Sequence, residues 1–191
     1  MTTSDATKPA RDWGRLAMWG LLVIASLGSS AALACAAPFA ALGAVAALYA
    51  ARGEALAVVL SAWLANQFVG FLLLDYPRSW DAFAWGAVLA VAAMAAPLAA
   101  GWVARLLGQP GTAVGAIGAL VGAFAGFEAV LVAAAFVLPG GWEAFAPWLV
   151  ARIFAMNALF FAGLALFCRV AVAMGLLAVG RDARAAAPLA A

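Results

Sequence analysis

Apolar stretches long enough to cross a bilayer recur along the whole of this 191-residue chain, with only short polar breaks between them. A hydrocarbon core about 30 Å thick takes about 20 consecutive, mostly apolar residues in a helix. Soluble domains carry about 25% charged residues. Here the charged share is 9% and the hydrophobic share 69%, which excludes a soluble fold. No apolar stretch is followed by enough polar sequence for a separate soluble domain. The pattern predicts an all-α polytopic membrane protein.

Gly and Pro, which end or bend helices, mark the segment limits. Residues 1–12 are polar and read as a disordered cytoplasmic N-terminus. A first apolar segment covers about 13–36 and ends at Ala37-Pro38. A second and unusually short one, about 39–51, stops at Arg52-Gly53-Glu54. The third runs from about 55 to 74, and the fourth from about 80 to 107. The fifth covers about 112–138. The sixth begins near Trp142 and continues to about Val179, longer than one crossing needs. The reading is thus six transmembrane helices within a 13–180 domain, followed by a cytoplasmic tail at 181–191.

Lys and Arg concentrate on the cytoplasmic side of membrane proteins. With the amino terminus inside, Lys8, Arg11, Arg15, Arg52, Arg105, Arg181 and Arg184 all fall there, and only Arg78 falls outside. Both termini are therefore expected in the cytoplasm, as for a multi-pass protein of a bacterial inner membrane. The external connections are then Cys35–Pro38, Asp75–Asp81 and Leu138–Glu143. Trp80, Trp142 and Tyr76 lie at external ends and Trp13 and Trp102 near internal ones, as in an aromatic belt. One rival reading takes Lys8, Arg11 and Arg15, an apolar stretch and Ala-Leu-Ala-Cys35 as a signal peptide with a lipidated cysteine.

Much chemistry is absent. There is no histidine, which removes His-ligated haem or zinc, His general bases and His proton switches. Two cysteines are too few for a disulfide framework. No nucleophile–base pair or phosphate-binding cluster is visible, so no enzyme is expected and no cofactor is implied. The net charge of +2 sits at segment ends, where topology explains it, and argues against nucleic acid or another acidic partner.

A charge at membrane depth costs roughly 2.5–3.5 kcal/mol on insertion scales and marks a partner or a purpose. The polar residues at depth are Ser26, Ser29, Ser30, Asn66, Gln67, Glu128, Arg152 and Asn157. Glu128 lies ten residues before Leu138, and Arg152 ten after Trp142, both about 15 Å down at the helical rise. The tight Pro-Gly-Gly turn between the fifth and sixth spans makes them antiparallel neighbours, so Glu128 and Arg152 are expected to pair. Asn66 and Gln67 fall near the same level. One reading is an ion pair with amide contacts that fix packing. The other is the floor of a pocket open to the outside, completed by Asn157 and rimmed by Asp75, Tyr76, Arg78, Trp80 and Asp81.

Gly118, Gly122 and Gly126 repeat every four residues and predict close helix packing within the chain. Ser26, Ser30 and Ala34 form a weaker stripe of the same kind. Cys35, at the outer end of the first span, is either a soft ligand to a metal-containing substrate or a small apolar residue. Cys168 reads as apolar packing, and Arg169 as snorkelling toward the inner headgroups.

Six spans in fewer than 200 residues, a short second span and both ends inside resemble an S-component. Such proteins are the substrate-binding membrane subunits of energy-coupling factor vitamin transporters. Pro38-Phe39-Ala40-Ala41-Leu42 and Asn66-Gln67-Phe68-Val69-Gly70-Phe71 carry the local likeness. The resemblance implies capture of a vitamin or cofactor-like molecule at the outer face, with a coupling membrane subunit and ATPases as partners. Its solitary cobalamin-specific members raise cobalamin as the transported ligand and Cys35 as a ligand to its cobalt. The competing functions are an ion- or proton-coupled carrier or channel that titrates Glu128, and a scaffold subunit without a ligand.

Overall fold

The computed structural model describes residues 38–107 and 112–174, together with the isolated Gly20. The expected first span, Cys35 and both tails lie outside the described residues. Everything described is helix, turn or connection. Helix α1 is Phe39–Tyr49, α2 is Arg52–Leu73, α3 is Trp80–Leu106, α4 is Ala113–Ala135 and α5 is Pro147–Ala173; a 3-10 turn covers Trp142–Phe145. Four of these, α2 to α5, are long and apolar enough to cross a membrane, the layout of a multi-pass membrane protein.

The helix limits follow local chemistry. At the start of α2 the Glu54 carboxylate accepts the Ala51 N–H at 3.2 Å, and at the start of α4 the Thr112 hydroxyl accepts the Gly115 N–H at 3.2 Å. Each satisfies a donor that a helix start leaves open. Pro147 opens α5 at a position where its missing N–H costs nothing. That start divides the expected sixth span. Residues 142–145 wind separately as the 3-10 turn, and the helix itself runs 27 residues from Pro147 to Ala173.

The second segment is as short as the sequence predicts, but it is too short to be a crossing. Helix α1 has 11 residues, about 16 Å at the helical rise, about half a hydrocarbon core. It sits in the middle of the bundle, touching all four long helices. Eight consecutive residues, Phe39 to Ala46, are buried, so every side of the helix is covered over two turns. Its small side chains make this feasible. A Cβ added to Gly43 would stand 2.8 Å from the Ala96 Cβ of α3 and 3.0 Å from the Pro97 ring.

A helix that starts inside a bundle must still satisfy its first N–H groups. Pro38, the residue before α1, has no side chain able to cap it, and it makes no capping bond. The Asn157 side chain of α5 does this across the bundle. Its Oδ1 accepts the Ala41 N–H at 2.9 Å, while its Nδ2 donates to the Ile153 carbonyl at 3.0 Å. The Phe39 ring stacks on Phe127 of α4, centroids 6.2 Å apart. Asn157 is ten residues into α5, so α1 begins about 15 Å below the end of that helix. Pro38 is buried there, whereas the sequence placed it in an external connection. The reason is the missing length: α1 ends level with the start of α2, and 11 residues cannot reach the far face.

Helices α3 and α4 form the tightest pair, antiparallel and closely approached. Gly118, Gly122 and Gly126 of α4 face Leu107, Val103 and Ala99. A Cβ on Gly126 would lie 2.6 Å from the Ala99 Cβ, and one on Gly122 would lie 2.7 Å from Val103. The glycine repeat therefore serves packing within the chain. Helix α5 is attached differently: it leans mainly on α1 and meets α4 at few positions, one of them the edge-on pair Phe124–Phe154 at 5.0 Å.

The buried Asn157–Ala41 bond predicts a stability effect. Asn157→Leu leaves the Ala41 donor unsatisfied, a cost of about 1–3 kcal/mol. Thermal unfolding of the purified protein in detergent should show a lower midpoint for Asn157→Leu. An unchanged midpoint for the leucine variant would contradict the role assigned to this side chain.

Candidate functional site

The two ends of the bundle differ in character. Arg52, Arg105 and Arg169 are exposed at the end where α1 finishes and α2 starts. Trp80, Trp142 and Trp148 are exposed at the other, which carries the 74–79 and 136–146 connections. Above the buried start of α1, toward this aromatic end, lie most of the polar residues singled out in the sequence.

Asn66 and Glu128 each lie seven residues from the aromatic end of their helices, about 10 Å down. Asn66 shares its face of α2 with the buried Val59, Ala62 and Gly70, and is itself half-buried. Gln67, one residue and about 100° further around, faces α3 instead. There a Cβ on Gly86 would meet its Nε2 at 3.3 Å. The Trp63 indole, one turn below, donates to the Gly86 carbonyl at 2.9 Å. The two adjacent amides therefore divide between the bundle interior and a helix–helix contact.

Glu128 is half-buried on α4, one turn above Phe124 and beside Phe127. The expected partnership with Arg152 does not form, and Glu128 has no hydrogen-bond or ion-pair partner among the described residues. The reason is angular. Phe154 marks the side of α5 that meets α4. Arg152 precedes it by two residues, about 200° around the helix. It shares the exposed outer face with Trp148 and Leu159. It is also shallower than expected: because α5 begins at Pro147, Arg152 lies five residues in, about 8 Å. A guanidinium at that level reaches the headgroups by extending its stem.

The connection after α2 folds back on the helix. Asp75 takes a left-handed conformation, φ 50°, and is exposed. The Tyr76 N–H donates to the Gly70 carbonyl at 3.0 Å, and its ring covers Gly70, where a Cβ would lie 2.5 Å from two ring carbons. Phe71 meets Tyr76 edge-on at 6.0 Å and stacks on Phe83 at 5.0 Å. Arg78 donates to the Phe71 carbonyl at 3.4 Å, taking up an acceptor of the last turn. Tyr76 and Arg78 thus act on the end of α2, while Trp80, 79% exposed, projects outward as an interfacial tryptophan does.

Sequence reading missed Trp85. Its indole donates to the Pro139 carbonyl at 3.2 Å, and its ring covers Gly141, tying the 136–146 connection to α3. The Pro139-Gly140-Gly141 turn was visible in the sequence, but not which aromatic would sit on it. Asn157, read as a pocket residue, spends both ends of its amide on the scaffold. Cys35 lies outside the described residues, and Cys168 is fully buried.

Among the described residues no three His, Cys, Asp or Glu side chains gather as a metal site would require. What the arrangement offers is a layer with one carboxylate, an amide and several aromatic rings. No family model matches the chain, and neither a curated protein nor a solved structure is found to be similar to it.

The outward Arg152 predicts independence from Glu128. In a double-mutant cycle with Glu128→Gln and Arg152→Gln, the effects on unfolding free energy should add to within about 0.5 kcal/mol, as for residues without a shared contact. A coupling above about 1 kcal/mol would restore the pair.

Proposed function

We propose that this protein is a substrate-binding integral membrane protein that takes up a small vitamin- or cofactor-like molecule captured from the outer face. One observation carries the reading: a half-length helix sits at the centre of long ones, and the half of the bundle beyond its start holds a carboxylate, Glu128, with no partner among the described residues. A charge left unpaired at depth in a membrane protein is costly and marks a ligand path more often than packing. Asn66 supplies a neutral hydrogen-bonding group at the same level, and the phenylalanines supply the apolar walls of a small-molecule site. Asn157 lies below this layer as part of its floor and acts there through the backbone of α1.

The membrane topology belongs to the same proposal. Residues 13–36 form the first of six helical segments, both termini are cytoplasmic, and the aromatic end faces outward in a bacterial inner membrane. Cobalamin is the candidate ligand that the S-component resemblance raises, with Cys35 as the residue that would meet its cobalt. A coupling subunit with ATPases is the partner the resemblance adds.

Orientation is read by labelling. In a Cys35→Ser background, Ala144→Cys should react with a membrane-impermeant maleimide in intact cells, and Arg105→Cys only after lysis. The reverse pattern would invert the proposed topology. Capture is read by purifying the full chain in mild detergent and analysing the extract by mass spectrometry and absorbance. A stoichiometric small molecule, diminished in Glu128→Gln, is the expected result. A folded protein that carries no small molecule and supports no uptake of any would favour a scaffold.

A further inference from the structure

We infer that the ligand of this layer is an organic cation: an ammonium group on an apolar or aromatic body, with the charge held at Glu128. The inference rests on the capture reading and puts an organic ammonium in place of the cobalamin that the resemblance raises. Glu128 is half-buried, so it is held within the bundle yet open on one side. It has no partner among the described residues.

The surrounding groups narrow the class. On α2 the polar residues at this depth are Asn66 and Gln67, both neutral, and α1 carries no charge at all. The charges of α3, Asp81 and Arg105, lie at its two ends. Arg152, the one cation at a comparable depth on α5, faces away from α4 on the exposed side. An anionic ligand would therefore meet a like charge with no compensating cation among the described residues, and a zwitterion would leave its carboxylate unmatched there. A cation alone supplies what the site lacks.

The apolar half of the ligand is met as well. Phe124 lies one turn below Glu128 on the same side of α4, edge-on to Phe154 at 5.0 Å. Phe127, the next residue back from Glu128, stacks on Phe39 at 6.2 Å. Phe39 and Phe127 are closed into the core, so the half-buried Phe124 and Phe154 are the rings left to a ligand, and aromatic rings attract cations as well as packing an apolar body. Asn66, at the same depth on α2, is a neutral amide and leaves the charge preference intact.

Two matched probes test this with the full-length protein in detergent at neutral pH: phenethylammonium and 3-phenylpropanoate. Binding is read by titration calorimetry and by the shift in unfolding midpoint. Phenethylammonium should bind saturably and raise the midpoint, and 3-phenylpropanoate should do neither. Glu128→Gln should weaken the ammonium at least tenfold, whereas Glu143→Gln, an exposed carboxylate at the same end, should leave it unchanged. If Glu128→Gln fails to fold, Glu128→Asp serves instead and should keep the preference for the ammonium probe. Equal ammonium binding by wild type and Glu128→Gln, tighter binding of the carboxylate probe, or no binding of either would overturn the inference. A bound molecule without a cationic group, such as a corrinoid, in the purified protein would overturn it too while leaving the capture reading standing. A protein that neither carries nor transports any small molecule would remove both.

Discussion

The hydrogen bond from the Ala41 N–H to Asn157 Oδ1 ties the centre of this bundle together. A helix that begins among apolar side chains, with proline before its first turn, has donors it cannot satisfy locally. The amide of another helix takes up one of them, and in doing so sets the level at which α1 begins. That level decides what remains for function. Below it the core is closed by small residues and a glycine against Pro97. Above it, among the described residues, the long helices carry the polar layer.

Close packing and openness are distributed accordingly. The glycine face of α4 lets α3 approach closely, with no room for a Cβ at Gly118, Gly122 or Gly126. Helix α5 has a lighter attachment, through Asn157 and through Phe154 against Phe124. Glu128 lies just beyond that second contact, on the turn of α4 that turns toward α5. A carboxylate on a tightly packed face would have been excluded by its desolvation cost. Next to the loosest junction of the bundle it keeps partial access and so can serve a ligand.

The polar residues show how one helical step changes a role. Asn66 and Gln67 are consecutive, yet one faces the interior and the other the α3 contact, since each residue turns the helix by about 100°. Arg152 and Phe154 are two apart and point to opposite sides. Depth was legible from the sequence to within about two turns, because distance from a Gly/Pro break converts directly into rise. Facing was not, because it depends on where the neighbouring helix lies.

The sequence by itself determined the helical class, the long apolar segments, and the breaks at Asp75–Ser79 and Pro139–Gly141. These follow from local chemistry: apolar residues satisfy their backbone in helices, and Gly, Pro and charges stop them. It also located the glycine stripe, since a four-residue period puts those positions on one face whatever the surroundings. Only the tertiary structure decided that the short second segment is buried at the centre of the bundle, that Asn157 caps it, and that Glu128 and Arg152 never meet. Each depends on which helices become neighbours and at what rotation, and that is set by packing among residues far apart in the chain.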